Sequence, residues 1–142
     1  MHQRKIKDLN FGKKNEIKFQ NYIEDSEKIK LKRFRDKYSE LDFRCDKRLI
    51  ELKSRTNRYN RYWDTMCGFN KIEKARKKIK RGYSVEIYFL FTDGLYKWDF
   101  KENDFNVRKG GRNDRGEWEE KDYAYIPITS LELISKDIKS IN

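Results

Sequence analysis

Apolar residues recur every three or four positions in two stretches of the chain, which is the spacing of one face of a helix. The first predicted helix covers residues 11–24 and carries the acid Glu16 on the same stripe as its apolar residues. The second covers residues 69–80, and Gly82 stands where a helix commonly ends. Residues 1–10 are basic and show little apolar periodicity, so we expect a basic N-terminal tail there.

Shorter apolar runs predict the strands of a sheet. Residues 28–34 alternate apolar residues with lysines, which is the period of a half-buried strand. Residues 85–91 are the most hydrophobic run and are rich in β-branched and aromatic residues, which predicts a central strand. Two hairpins are predicted by pairs of short segments around polar turns, namely 41–45 with 49–53 and 85–91 with 95–100.

The remaining stretches are interpreted as connections. Residues 54–65 interleave arginines with aromatic residues and are expected to form a surface loop or a strand extension. Residues 101–122 are polar and contain three glycines, which predicts a long polar loop, and residues 123–134 predict a short strand and a helical turn. No repeat or linker divides the chain, so residues 1–142 are predicted to form a single α/β domain.

A formal net charge of +11 adds a partner to this picture. Such a surface attracts polyanions and releases counterions on meeting a phosphate backbone, so nucleic acid is the expected partner. A membrane is not expected, because no apolar run approaches spanning length and no basic amphipathic helix stands out. Charged residues make up 42% of the chain, but the aromatic share of 15% favours a folded domain over disorder.

The few cysteines and histidines limit the possible chemistry. Cys45 and Cys67 show no disulfide pattern and fit a reducing, intracellular compartment, either cytoplasm or a host cell, and no apolar segment follows the basic start as in a secretory signal. His2 is the only histidine, which nearly excludes a zinc site or a histidine base. Any catalysis would therefore use carboxylates, lysine and an oxygen-preferring metal.

One pair of predicted strands brings acids and a lysine together. An acid followed two positions later by lysine occurs five times in the chain, so this spacing alone decides nothing. Glu51 and Lys53 differ from the other pairs because their strand follows a strand that carries Asp42. If Asp46 and Lys47 form a two-residue turn, Asp42 faces Glu51 with Cβ atoms about 4.5 to 5.5 Å apart. Like charges so placed destabilise a sheet unless a cation lies between them, which favours a divalent metal.

The alternation of the second strand assigns its two faces. Lys53 lies on the same face as Glu51, roughly 6.5 to 7 Å further along the strand. Ile50 and Leu52 point the other way, into the core. A slip of one residue would bury the charges instead, and this fixes the predicted register.

A helix bearing an acid, followed by three strands, a helix and a strand, resembles the PD-(D/E)XK nuclease superfamily. The residues that carry the resemblance are Glu16, Asp42 and Glu51-Leu52-Lys53, and Leu41 stands where the motif has proline. The resemblance covers roughly residues 11–100. Within the superfamily, the chain is most similar to small phage, large-virus or archaeal enzymes related to Holliday junction resolvases. The resemblance implies a restriction-endonuclease-like αβββαβ core, with a mixed central sheet flanked by helices.

The resemblance also implies a mechanism, that of a Mg²⁺-dependent endodeoxyribonuclease in which Mn²⁺ substitutes for Mg²⁺. Asp42, Glu51 and the backbone carbonyl of Leu52 would hold one or two ions. Lys53 would orient the attacking water and stabilise the negative charge that develops on the phosphate. Glu16 would support the metal through a water or complete a second site.

Basic residues near this cluster are expected to contact DNA, either duplex or branched. They are Arg55, Arg58, Arg61, Lys71, Arg112 and Arg115. Two alternatives stay open. A Holliday junction resolvase would share the chemistry but require a homodimer with two active sites. A non-enzymatic basic nucleic-acid-binding domain would carry the hairpin acids only incidentally.

Overall fold

The computed structural model describes residues 2–34, 41–112 and 119–137, and the side chains within 14–34, 41–110 and 121–137. The elements in chain order are α1 (His2–Glu27), β1 (Lys32–Arg33), β2 (Phe43–Cys45), β3 (Arg48–Ser54), β4 (Asp64–Gly68), α2 (Phe69–Lys80), β5 (Ser84–Phe91), β6 (Gly94–Asp99), β7 (Asn106–Arg112), β8 (Glu119–Pro127), a 3₁₀ turn (Ile128–Ser130) and β9 (Glu132–Ser135).

Six strands form a mixed central sheet in the order β1-β2-β3-β5-β6-β9. β3 and β5 pair in parallel, and the other neighbouring pairs are antiparallel. A parallel pair needs a crossover connection, which β4 and α2 supply. The predicted αβββαβ order is confirmed, with β4 inserted before α2. The predicted central strand is β5, which is buried from Val85 to Phe91.

The two helices differ in how well the apolar pattern predicted their bounds. α2 has the predicted bounds, and Gly82 follows it with φ +93° and donates its N–H to the Ile79 carbonyl. α1 begins at His2, so the expected tail has a helical backbone and that prediction is wrong. Lys, Arg, Gln and Leu are good helix formers, so a helix can continue beyond the apolar stripe that buries it. α1 ends at Glu27, and the strand predicted over residues 28–34 is reduced to β1.

A second sheet of three strands, in the order β4-β8-β7, includes part of the segment predicted as a long polar loop. β7 and the start of β8 lie within residues 101–122, so the loop prediction is wrong for those parts. A glycine there was interpreted as a loop signal, but it serves a strand. A Cβ on Gly110 would lie 2.8 Å from the Tyr125 hydroxyl and 3.0 Å from the Tyr123 ring, so a larger residue would require these cross-strand aromatic side chains to shift.

Both faces of the central sheet are covered. α1 buries Phe19 and Ile23 against one face. α2 and the second sheet cover the other face, where Ile72 and Ala75 of α2 are fully buried. No helix in the described ranges combines the length and the apolar content needed to cross a lipid bilayer.

An ion-pair network ties α1 to the central sheet. Arg48, the first residue of β3, donates to Glu27 at the end of α1 at 2.6 and 3.0 Å. It also donates to Glu86 of β5 and to the Tyr88 hydroxyl, at 2.8 and 3.1 Å through Nη2. These hydrogen bonds raise the pKa of Arg48 above its usual range, with Glu27 as the largest cause. The network holds α1 across the strands that carry the candidate site.

Candidate active site

The first hairpin has the predicted register. Phe43 pairs with Ile50, Arg44 with Leu49 and Cys45 with Arg48, which leaves Asp46 and Lys47 as a two-residue turn. Asp46 has φ +51°, a left-handed conformation that Asp tolerates better than most residues. The register prediction over these three pairs is confirmed.

Asp42 lies one residue before β2 and leaves the ladder. Its N–H donates to the Ile50 carbonyl at 3.1 Å, one position away from the predicted pairing with Glu51. Its Oδ2 atom accepts a hydrogen bond from the Leu52 N–H at 2.8 Å. The carboxylate thus acts as the hydrogen-bond acceptor that a further ladder residue would have supplied, and this ties Asp42 to β3 by its side chain.

Asp42 and Glu51 lie near enough to each other for Glu51 to affect the ionisation of Asp42. Burial is the largest cause that raises the pKa of Asp42, to about 8, and repulsion by Glu51 is the next. Glu16 adds a smaller repulsion, and the hydrogen bond from the Leu52 N–H acts in the opposite direction. Two acids are therefore held together at an electrostatic cost that a cation would relieve.

Glu51 points to the sheet face that α2 covers, and only 2% of the residue is exposed. The expectation that a correct register would leave the charges unburied is wrong, because helices and strands cover both faces of β3. Lys53 Nζ lies 3.3 Å from Glu51 Oε2, and Lys71 Nζ lies 3.2 Å from the same oxygen. The other oxygen, Oε1, is buried without a hydrogen-bond partner among the described residues.

Lys71 enters this cluster from the first turn of α2. Ile72 and Ala75 anchor the helix on the sheet, which sets Lys71 over β3. The sequence pointed to Lys71 only as a phosphate contact, and its position beside Glu51 was missed. The sequence did contain one signal, because Lys71 directly precedes Ile72, the first buried residue of the helix. A long side chain at that position can extend along the surface of the sheet.

Glu16 lies near the carboxylate pair but has another partner. Its Oε2 atom lies 3.3 Å from Arg33 Nη2, a residue of β1 that the sequence did not single out. Among the residues that the structure describes, no three His, Cys, Asp or Glu side chains come together in a group that could hold a metal ion. The cluster therefore offers Asp42 and Glu51 as its side-chain ligands, with Glu16 further out.

The predicted DNA contacts separate into three groups. Arg55 is half-buried, and its guanidinium donates to Thr65 Oγ1 and to the Met66 carbonyl and lies 5.6 Å from the centre of the Phe89 ring. Arg58 and Arg61 are exposed on the loop between β3 and β4. The side chain of Arg112 and the whole of Arg115 lie outside the described residues.

The oxygen atoms of this cluster are of the kind that binds a magnesium ion. Mg²⁺ takes oxygen ligands, keeps several waters and is commonly held by one or two carboxylates together with substrate phosphates. Asp42 and Glu51 provide two neighbouring carboxylates, and the Oε1 atom of Glu51, which has no hydrogen-bond partner among the described residues, is a buried acceptor of the required kind. The buried thiol of Cys67 does not compete as a ligand, because burial raises its pKa to about 11.

The mixed sheet, its flanking helices and the hairpin with two acids and a lysine together define a restriction-endonuclease-like α/β domain. Over residues 2–134 the chain matches the family described as "Phage putative PDDEXK endonuclease", and it belongs to that family. The predicted PD-(D/E)XK resemblance, including its link to phage enzymes, is thus confirmed, and the membership supports a nuclease. No curated protein and no solved structure gives a significant match to the chain.

Proposed function

We propose that this protein is a Mg²⁺-dependent DNA endonuclease that hydrolyses phosphodiester bonds at Asp42, Glu51 and Lys53. The observation that carries the proposal is the environment of Glu51. One of its oxygens contacts two ammonium groups, and the other is buried without a partner in the described part of the chain. A purely structural acid has no need of this arrangement, whereas a metal ligand beside a catalytic lysine does.

Asp42, Glu51 and the backbone carbonyl of Leu52 would hold the ion, and Mn²⁺ would replace Mg²⁺. A bound divalent ion supplies a Lewis acid and a water of lowered pKa. Neutralisation of the carboxylate pair would also remove the repulsion that raises the pKa of Asp42. Glu16 forms an ion pair with Arg33, so it would contact the ion only through a water.

Lys53 and Lys71 would supply the positive charge for the reaction. The water oxygen bonds to phosphorus while the bond from phosphorus to the leaving oxygen breaks, and negative charge grows on the phosphate oxygens. Lys53 would orient the water and donate to a phosphate oxygen. Lys71 reaches the same carboxylate oxygen from α2, so it would stabilise the same charge from the opposite side.

The direct test is incubation with supercoiled plasmid. We expect nicked or linear DNA in Mg²⁺ or Mn²⁺ and intact DNA in EDTA, because the two carboxylates cannot activate a water without a metal. Lys53→Ala should remove cleavage in both metals while leaving DNA binding in place. Cleavage that persists in EDTA would refute the mechanism.

Replacement of Lys71 tests the part of the site that the helix contributes. We expect Lys71→Met to slow single-turnover cleavage about 10- to 100-fold, since one of two ammonium groups at the phosphate is lost. Lys74→Met, one turn later on α2, is the matched control and should stay within about twofold of the parent. Equal rates for the two variants would show that Lys71 only balances the charge of Glu51.

Two further assays separate the open alternatives. A Holliday junction resolvase would cut a four-way junction in preference to linear duplex and would be a homodimer by light scattering. A non-enzymatic binding domain would bind DNA equally with and without Mg²⁺, and Glu51→Ala would tighten its binding with no activity to lose. Family membership favours the nuclease over the binding domain.

A further inference from the structure

The loop between β3 and β4 exposes two adjacent aromatic rings at its end. Trp63 is 92% exposed and Tyr62 is 58% exposed. We refer to these two residues as the aromatic tip. Aromatic side chains gain the most from burial, so two adjacent exposed rings mark a contact surface.

The aromatic tip sits on an anchored loop. Tyr59 stacks on Tyr96 with ring centres 4.0 Å apart and planes within 3° of parallel. The Tyr59 N–H donates to Asp93 at 2.9 Å, and its hydroxyl donates to the Ile128 carbonyl at 2.8 Å. The Ile128 N–H in turn donates to the Trp63 carbonyl at 3.0 Å. The rings therefore protrude from a backbone that is held on both sides, so little backbone conformational entropy would be lost when they bind a ligand.

The charge around the tip favours an anionic partner. The Arg61 guanidinium lies 5.6 Å from the centre of the Tyr62 ring, and the side chain of Arg58 is 76% exposed. Of the neighbouring acids, Asp93 lies 3.9 Å from Arg58, and Asp64 forms an ion pair with Arg108 at 2.9 Å. Exposed rings beside exposed guanidinium groups, on a chain of net charge +11, match a ligand that combines flat apolar faces with phosphates.

We propose that the aromatic tip stacks on unpaired nucleobases of the nucleic acid that the active site cuts. In a continuous duplex the faces of the bases are covered by their neighbours, and a protein meets only phosphates and base edges. Exposed aromatic rings stack on bases in single strands, loops and ends, whatever their sequence. The inference rests on the proposed function for the identity of the ligand as DNA, and it adds a preference for substrates with a single-stranded segment.

Chain geometry limits where that segment must lie. Trp63 follows Lys53 by ten positions, and ten extended residues span at most about 33 to 36 Å. Successive phosphates of one strand advance about 3.4 Å along a duplex. The unpaired bases would therefore lie within roughly ten nucleotides of the scissile phosphate.

Binding in EDTA tests the inference without cleavage. Fluorescence anisotropy would compare a labelled single strand with a blunt duplex of equal length, for the parent chain, Trp63→Ala and Trp63→Phe. We expect Trp63→Ala to weaken single-strand binding about tenfold and duplex binding less than about twofold, with Trp63→Phe close to the parent. Ile79→Ala, which removes an exposed apolar side chain at the far end of α2, should change neither.

Fluorescence supplies a second readout of stacking. The single strand should quench tryptophan emission of the parent, and Trp63→Phe should remove most of that quenching while keeping the affinity. Equal losses on both ligands, or no loss with Trp63→Ala, would overturn the inference. Binding to vesicles of anionic lipid would be measured in parallel. If Trp63→Ala weakened only the binding to vesicles, the tip would be a membrane contact and the inference would be overturned. Failure of the parent to cut DNA in Mg²⁺ would count against the proposed function and leave the stacking result standing.

Discussion

Cleavage by Glu51→Gln should fall by at least about a thousandfold, the largest effect that we expect from a single substitution in this chain. The amide keeps the size of the side chain but removes the negative charge that a metal requires. It also removes the charge that holds Lys53 and Lys71 at 3.3 and 3.2 Å from one oxygen. DNA binding in EDTA should persist or tighten, because one negative charge near the phosphate is gone.

The chain contains a matched control for this substitution. Asp99 and Lys101 repeat the spacing of Glu51 and Lys53 at the end of β6, but Asp99 and Lys101 are both exposed. Asp99→Asn should therefore cut at close to the parent rate. Lys101→Met should also cut at close to the parent rate, whereas the separate variant Lys53→Met should be inactive. Circular dichroism and urea unfolding would establish that Glu51→Gln is folded. A folded Glu51→Gln protein that retains cleavage would remove Glu51 from the mechanism.

Asp42→Asn should abolish cleavage and at the same time stabilise the fold in alkaline solution. Burial and the neighbouring Glu51 raise the pKa of Asp42 to about 8, from an ordinary value of 3.8. Between these two values the folded protein keeps a proton on Asp42 that the unfolded chain releases. The free energy of unfolding of the parent should therefore fall as the pH rises through this window, with the full loss reached above about pH 8.

Asparagine carries no such cost, since its side-chain oxygen can still accept from the Leu52 N–H and its amide can donate to Glu51. At pH 9 we expect Asp42→Asn to exceed the parent by about 2 to 5 kcal/mol in the free energy of unfolding, and at pH 4 to differ little. Urea unfolding in EDTA at several pH values measures this. Added Mg²⁺ should stabilise the parent at pH 9 but leave the variant nearly unchanged. An equal pH dependence in both proteins would contradict the strained carboxylate pair.

Local sequence patterns predicted several features of the fold and of the candidate site. The hairpin register came from local pattern, because a two-residue turn and the alternation of Ile50 and Leu52 are set by neighbours in the chain. The order of elements came from periodicity in the same way, and α2 was predicted with its observed bounds. The net charge of +11 indicated a polyanion as partner without any knowledge of the fold.

Sequence patterns failed where distant segments meet. The short strand and helical turn predicted over residues 123–134 are present as the end of β8 and the 3₁₀ turn. β7 and the first residues of β8 were missed because glycines, which signal loops, also occur where strands carry crowded aromatic rings, as at Gly110. The burial of Glu51 was missed because alternation tells which residues share a face but not what covers it. The hydrogen bond from Arg55 to the Met66 carbonyl was missed for a related reason, since Met66 belongs to a strand that was not predicted.

The amino-acid sequence by itself thus determined the αβββαβ order and the acidic hairpin and indicated a polyanionic partner, because each follows from residues a few positions apart or from total charge. Only the tertiary structure decided that Lys71 shares the Glu51 carboxylate with Lys53, that Asp42 turns out of the ladder onto Leu52, and that Trp63 stands exposed. The contact of Lys71 depends on how α2 packs on the central sheet, and that of Asp42 depends on the irregular start of β2. The exposure of Trp63 depends on which surfaces the rest of the fold leaves uncovered, and a linear pattern contains none of these.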